Sequence, residues 1–101
     1  MLIIITTLHK KKDAVAIGTG LLNEKLIACY NLFPIESGYW WKGKILNESE
    51  TLMVLKTNDY SFEKIEEYIK KHSGYEVPEV ISLTPEKVNS SYLKWVNEET
   101  K

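Results

Sequence analysis

The sequence predicts an α+β fold, and three observations predict it. Leu2 to Thr7 is a short continuous run rich in Ile, Cys29 to Thr57 holds two long runs of strand formers meeting at Lys42-Gly43, and three other segments repeat apolar residues at the helical period. Taken in chain order these give strand, helix, strand, strand, helix, strand and a closing helix.

The opening run reads as a central strand buried on both faces. Asp13 is the expected cap of the next helix, with Ala14, Ile17, Leu21 and Leu22 toward the core. Gly18 and Gly20 each weaken that helix by about 1 kcal/mol relative to Ala, so their presence predicts a close approach of the helix to the sheet. Asn23 to Leu26 ends it.

The central stretch reads as a long hairpin whose tip, Lys42-Gly43, supplies the positive φ of a tight turn. Arms of about 13 residues at roughly 3.3 Å per residue reach about 43 Å, whereas a chain of this size has a radius of gyration near 13 Å. One end must protrude, carrying Tyr39, Trp40 and Trp41, and aromatics held out in water point to a partner surface. Pro34 and Gly38 predict a bend or bulge in the first arm, with the tip leaving the main sheet. In the return arm Leu52, Val54 and Lys56 share one face, and Thr51, Met53, Leu55 and Thr57 the other.

Asn58, Asp59 and Ser61 offer caps for a helix with Phe62, Ile65, Tyr68 and Ile69 at helical spacing. Its glutamates lie toward the start and Lys70, Lys71 and His72 toward the end, which suits the dipole, and Gly74 closes it. Glu79 to Thr84 is a short strand led in by Pro78. Asn89 or Ser90 starts a last helix that turns Tyr92, Leu93 and Val96 inward with Trp95 near them.

This is the split βαβ order of a ferredoxin-like sandwich, an antiparallel sheet covered on one face by two helices. Residues 1–101 are expected to form one domain, with 44% apolar and 27% charged residues as in an ordinary soluble protein. The net charge of −1, spread along the chain apart from Lys10-Lys11-Lys12, argues against nucleic-acid and membrane partners. No run reaches the length of a membrane span, and the first residues lack the form of a signal peptide, so a cytoplasmic location is expected.

All cations are lysines, so an anion would be held by point charges and backbone N–H groups rather than by bidentate guanidinium. The strands that carry stacking aromatics in RNA-recognition modules read IIIITT and TLMVLKT here, and Thr-Thr-Leu-His follows β-structure where a phosphate loop would need glycines. No nucleophile–base pair is visible, and an enzyme is not expected. Metal ligands at local spacing are missing: Cys29, the single cysteine, His9 and His72 are far apart in sequence. Cys29 reads as a core residue or a ligand, and His72 as a dipole partner or a ligand. His9, beside three lysines that repel a cation, is the poorest ligand candidate. Glu48, Glu50 and Glu79 read either as solvated edge charges or, with Lys56, Tyr39, Tyr75 and Trp95, as the lining of a polar pocket between subunits.

Six segments together resemble the CutA divalent-cation-tolerance proteins: IIITT, LLNEKLIACYNLFPI, SGYWWKGKI, the Glu50–Thr57 run, YEVPEVISL and YLKWVNEET, in order across essentially the whole chain. The resemblance implies a ferredoxin-like subunit in a homotrimer, with the hairpin pairing against a neighbour and Tyr39, Trp40 and Trp41 as contact candidates. It brings no enzymatic activity and no required cofactor, but links the chain to divalent metals, copper above all. Where family members have a cysteine and two adjacent histidines as proposed copper ligands, this chain has Thr6 and Lys71-His72, and His72-Ser73-Gly74-Tyr75 is one residue longer than the usual His-Pro-Tyr. Two functions are therefore expected in competition. One is a metal-tolerance trimer using His72 and Cys29; the other is a small-molecule or partner-binding trimer with Glu50, Lys56, Tyr75, Glu79 and Trp95 lining an inter-subunit cleft.

Overall fold

Strand β1 (Leu2–Leu8) lies inside the sheet, pairing antiparallel with β3 (Lys44–Thr57) on one side and with β4 (Val80–Leu83) on the other in the computed structural model, which describes residues 1–101. Strand β2 (Cys29–Trp41) pairs antiparallel with β3 and completes the order β2-β3-β1-β4. Helices α1 (Lys11–Asn23) and α2 (Phe62–His72) connect the strands, and α3 (Ser90–Glu99) closes the chain. This is the predicted ferredoxin-like α+β sandwich.

Alternation along the strands sorts side chains to two faces. Ile4, Leu8, Met53 and Leu55 point into the core and meet Ala14, Ile17 and Leu21 of α1 and Ile65 and Ile69 of α2, all buried. The opposite face carries Ile3 and Ile5 of β1, Leu52 and Val54 of β3, Phe33 of β2 and Ile81 and Leu83 of β4, brought side by side by the register. There Phe33, Ile81 and Leu83 remain about half exposed, at 50%, 49% and 51%. An apolar sheet face of this kind is unusual on a finished surface.

The two glycines of α1 are explained by what lies against them. A Cβ on Gly18 would come within 2.7 Å of the Tyr30 ring on β2, the close approach to the sheet that was predicted. Gly20 instead makes room for α2: a Cβ there would overlap the Tyr68 hydroxyl and stand 2.8 Å from Cζ. The start of α1 differs from expectation. Lys10, in extended backbone, accepts from the amides of Asp13 (3.1 Å) and Ala14 (3.2 Å) and forms the cap, so Asp13 lies in the first turn, where its charge still suits the dipole. Leu22, one position past the buried Leu21 and so about 100° around the helix, is exposed rather than in the core.

The hairpin also corrects an expectation. Its register runs unbroken from Cys29↔Lys56 to Trp41↔Lys44, with no bulge between Pro34 and Gly38. Strand β2 is an edge strand, and an edge proline can turn its missing donor away from the ladder. The tip nevertheless leaves the main sheet, because β1 ends opposite Thr51 while β3 continues to Lys44. The ribbon turns at Lys42 (φ 49°) and Gly43 (φ 80°), the two positive φ values of the tightest hairpin turn. It gives the molecule its long axis, 45 Å against 27 and 21 Å, at a radius of gyration of 14.1 Å.

Candidate functional site

Where the ribbon departs from β1, one of its faces stays concave. Ile35, Ser37, Tyr39 and Trp41 of β2 and Leu46, Glu48, Glu50 and Leu52 of β3 alternate onto that face by strand parity and register. Opposite them runs the segment from Gly74 to Glu79 that leads from α2 into β4, and the floor is the exit of β1 at Thr7 and His9. Together they enclose an open cavity of about 870 Å3.

The polar side chains of this cavity are paired with one another. Tyr39 donates its hydroxyl to the Glu48 carboxylate diagonally across the hairpin, and Tyr75 donates to Glu50 from the other wall. The His9 ring lies on Tyr75, with centroids 3.9 Å apart and planes tilted by 31°. Three bonds hold the far wall: the buried Thr6 hydroxyl donates to the Glu79 carbonyl at 2.7 Å, Ser73 Oγ accepts from the Tyr75 amide at 3.2 Å, and Tyr75 reaches Glu50.

Charge in the cavity has one sign. Glu36, Glu48, Glu50, Glu76 and Glu79 line it, and none of the chain's thirteen lysines does. The effect on Tyr75 is direct. Burial, then the hydrogen bond to Glu50 and the negative charges of Glu50 and Glu48, push its hydroxyl well above the ordinary tyrosine range. Its phenol is a firm donor at neutral pH. Such a lining favours cations and neutral hydrogen-bonding ligands and disfavours anions.

The residues singled out in the sequence fall into three places. Glu50, Tyr75 and Glu79 share the cavity with Tyr39, Trp40 and Trp41. Lys56 and Cys29 sit opposite each other at the other end of the hairpin, where the Lys56 ammonium donates to Asn31 Oδ1 at 2.5 Å and the Cys29 thiol lies 3.8 Å from the same oxygen. The Tyr92 hydroxyl adjoins Cys29, and burial, with that thiol beside it, raises its pKa. Trp95, 40% exposed, packs against the Tyr92 ring at 5.6 Å, so it belongs to this corner and not to the cavity. His72 is in the helix layer, its ring 4.3 Å from that of Tyr68 and bordering a smaller hollow with Asp13.

Cys29 and His72 are thus on opposite sides of the sheet, and no three His, Cys, Asp or Glu side chains of the chain converge as a metal site would require. Thr7, Glu36 and Glu76 of the cavity were not singled out in the sequence, and His9 was discounted. The signal for Thr7 was its parity with Ile3 and Ile5. For His9 it was the strand's end, masked by the three lysines that follow.

Comparison with known proteins agrees along the whole length. The family model for the CutA1 divalent ion tolerance protein matches residues 2–99. The divalent-cation tolerance protein CutA of Pyrococcus horikoshii is 42% identical over 101 residues, covering 100% of this chain and 99% of the relative. That of Thermotoga maritima is 37% identical over 98 residues, 97% of each chain. The solved structure of the periplasmic divalent cation tolerance protein CutA from Archaeoglobus fulgidus superposes with a TM-score of 0.97 at 32% identity, covering all of both chains.

Proposed function

The chain belongs to the CutA1 divalent ion tolerance family, and from that membership we propose that it is a homotrimeric binding protein whose ligand site is the acidic, aromatic cavity beside the hairpin. One observation carries the site: the phenol–carboxylate pairs Tyr39–Glu48 and Tyr75–Glu50 face a common space lined by five glutamates and no lysine. Pockets that bind small molecules are mostly apolar with a few placed polar groups, and 870 Å3 lies within their usual range of about 300–1,000 Å3.

Assembly is supported by the partly exposed sheet face and by both edges. Ile3, Ile5, Val54, Phe33, Ile81 and Leu83 form an apolar surface on which Phe33, Ile81 and Leu83 stay half exposed, β2 and β4 leave open ladders, and Trp40 (71% exposed) and Ile45 (62%) face water at the hairpin tip. Copies of the chain would cover these together, the usual solution for such surfaces. Neighbouring subunits would then wall the open side of the cavity.

A second reading, prompted by the divalent-cation tolerance for which the relatives are named, is metal binding at His72 and Cys29, copper included. It requires assembly to complete the ligand set, since soft ions favour several thiolate or imidazole donors. Thermal-shift measurements separate the readings, because a ligand of the folded state raises its melting temperature. Metal chlorides and a panel of small metabolites are applied to the wild type, Glu50→Gln and His72→Ala. The proposal expects a stabilising ligand whose shift is lost in Glu50→Gln and kept in His72→Ala. The opposite pattern moves the site to the helix layer and refutes it.

A further inference from the structure

We propose that the cavity takes an organic ammonium rather than a bare metal ion, and that Trp41 and Glu76 form a subsite at its mouth which the chain's own Lys42 ammonium occupies. The inference rests on the reading of the cavity as the binding site. Trp41 and Glu76 both line the cavity, while Lys42 sits outside it in the hairpin turn. Its Nζ nevertheless lies 5.5 Å from the centre of the Trp41 ring and 3.6 Å from Glu76 Oε2. An ammonium between an aromatic face and a carboxylate is the arrangement by which quaternary and substituted ammonium ligands are recognised. Here a residue of the chain displays it.

The placement is easily displaced. Lys42 and Glu76 are 70% and 68% exposed as side chains, and ion pairs held in water contribute little. Deeper in the cavity the glutamates suit the same ligand class better than a metal. Glu48 and Glu50 each already accept a phenol, and no three ligating side chains converge, whereas hard divalent ions need six or more oxygens close around them. A substituted ammonium spreads its charge over methyl groups. It needs negative potential and aromatic walls, which Glu50, Glu79 and Tyr75 supply, and no tight shell of donors.

If Lys42 fills the mouth subsite for a large part of the time, it acts as an intramolecular competitor. Removing it raises the affinity for an outside ammonium by the reciprocal of the free fraction, about twofold at half occupancy and about tenfold at nine-tenths. The variant Lys42→Asn suits this test, because Asn-Gly is the favoured pair for a turn with two positive φ values and preserves the hairpin.

The probes are choline chloride, its neutral carbon isostere 3,3-dimethylbutan-1-ol, and copper(II) chloride, each titrated into the intact protein while amide and indole NMR signals are followed. The expected result is a saturable shift of the Trp41 indole and Glu76 amide with choline, at least fivefold weaker binding of the isostere, and two- to tenfold tighter choline binding by Lys42→Asn. Equal binding of choline and the isostere overturns the ammonium assignment and leaves the cavity a ligand site. Perturbation of the cavity by copper alone overturns it in favour of a metal. Equal choline affinity in the wild type and Lys42→Asn overturns the role of Lys42. Silence of all three probes at every cavity residue overturns both this inference and the reading on which it rests.

Discussion

Replacing Thr6 by Val tests how the far wall of the cavity is held. Thr6 is fully buried on the core face of β1, and its hydroxyl donates to the Glu79 carbonyl at 2.7 Å, just before β4 begins. Valine keeps the shape, so no cavity opens, and the change reduces to one hydrogen bond and one acceptor. A typical intramolecular hydrogen bond contributes about 0.5–1.5 kcal/mol net, and an acceptor left buried and unpaired costs about 1–3 kcal/mol. The bond is only partly buried, so the carbonyl can turn to water, and the lower range applies. We expect a loss of about 1 kcal/mol, or a melting temperature about 4–8 °C lower for a chain of this size.

Denaturant titration at fixed protein concentration measures the change, with an unaltered slope showing that the unfolded state is unaffected. Hydrogen exchange should localise it. Amides 75–83 should exchange faster in Thr6→Val while those of α1 do not, because Thr6 anchors β4 and the segment before it, and α1 packs independently of that bond. A stability change below about 0.3 kcal/mol, or faster exchange spread evenly over the molecule, would refute the anchoring role.

Three further outcomes follow from the packing and the charges. Gly20→Ala should gain about 1 kcal/mol of helix propensity but lose about 1–3 kcal/mol against Tyr68; net destabilisation in the wild type, reduced in a Tyr68→Phe background, is the expected double-mutant cycle, and additivity would place the clash elsewhere. The raised pKa of Tyr75 means that above pH 10, the ordinary tyrosine value, the unfolded chain releases this proton before the folded one does, so its contribution to stability is full below pH 10 and declines as pH rises beyond it. Alkaline denaturation should show that decline in the wild type and a shallower one in Tyr75→Phe; parallel curves would contradict the pairing with Glu50. Ile81→Lys, at a half-exposed position on edge strand β4, should leave the circular dichroism of the subunit unchanged while sedimentation shows the assembly reduced to smaller species, and an intact assembly would remove this face from the interface.

The order of elements was legible because each hydrophobic period is unmixed: the Ile run of β1 has no helical spacing, and Phe62, Ile65 and Ile69 have no alternation. Hairpin length followed from residue counts and the rise per residue. The supposed bulge at Pro34 was misread because a sequence does not say which strand is at an edge, and at an edge the missing donor costs nothing. Strand parity placed Leu52, Val54 and Lys56 on one face, and the register puts them there, with Glu48 and Glu50 following on the same side. Parity alone, however, hides distance: Lys56 lies six residues beyond Glu50, roughly 20 Å along the strand, which puts it with Cys29 and the α3 aromatics at the opposite end. His9 was discounted for its lysine neighbours. Helix α1 begins at Lys11 and carries two of those lysines away on a different element, leaving the imidazole on Tyr75.

The extended ribbon places the proposed ligand site and the proposed subunit contact in the same part of the molecule. Within the sheet proper, one face of β3 is committed to the core under α1 and α2 and the other to the partly exposed apolar surface, so neither offers a concave polar site. Beyond Thr51 the strands lose β1, and both faces are released from the core. Parity then sorts them: Tyr39, Trp41, Leu46 and Glu48 turn to the cavity, while Ile45 is left in water on the reverse side and its cross-strand partner Trp40, which borders the cavity, stays 71% exposed. A subunit that binds the reverse side of its neighbour's ribbon necessarily fixes the front side in space. In the proposed assembly, ligand occupancy and subunit contact would be coupled through a two-stranded ribbon that is marginal by itself, since an isolated hairpin has too little buried surface to be rigid. Ordering of Tyr39 and Trp41 by one event would lower the entropic cost of the other, so the proposal requires the two equilibria to be reciprocal in sign.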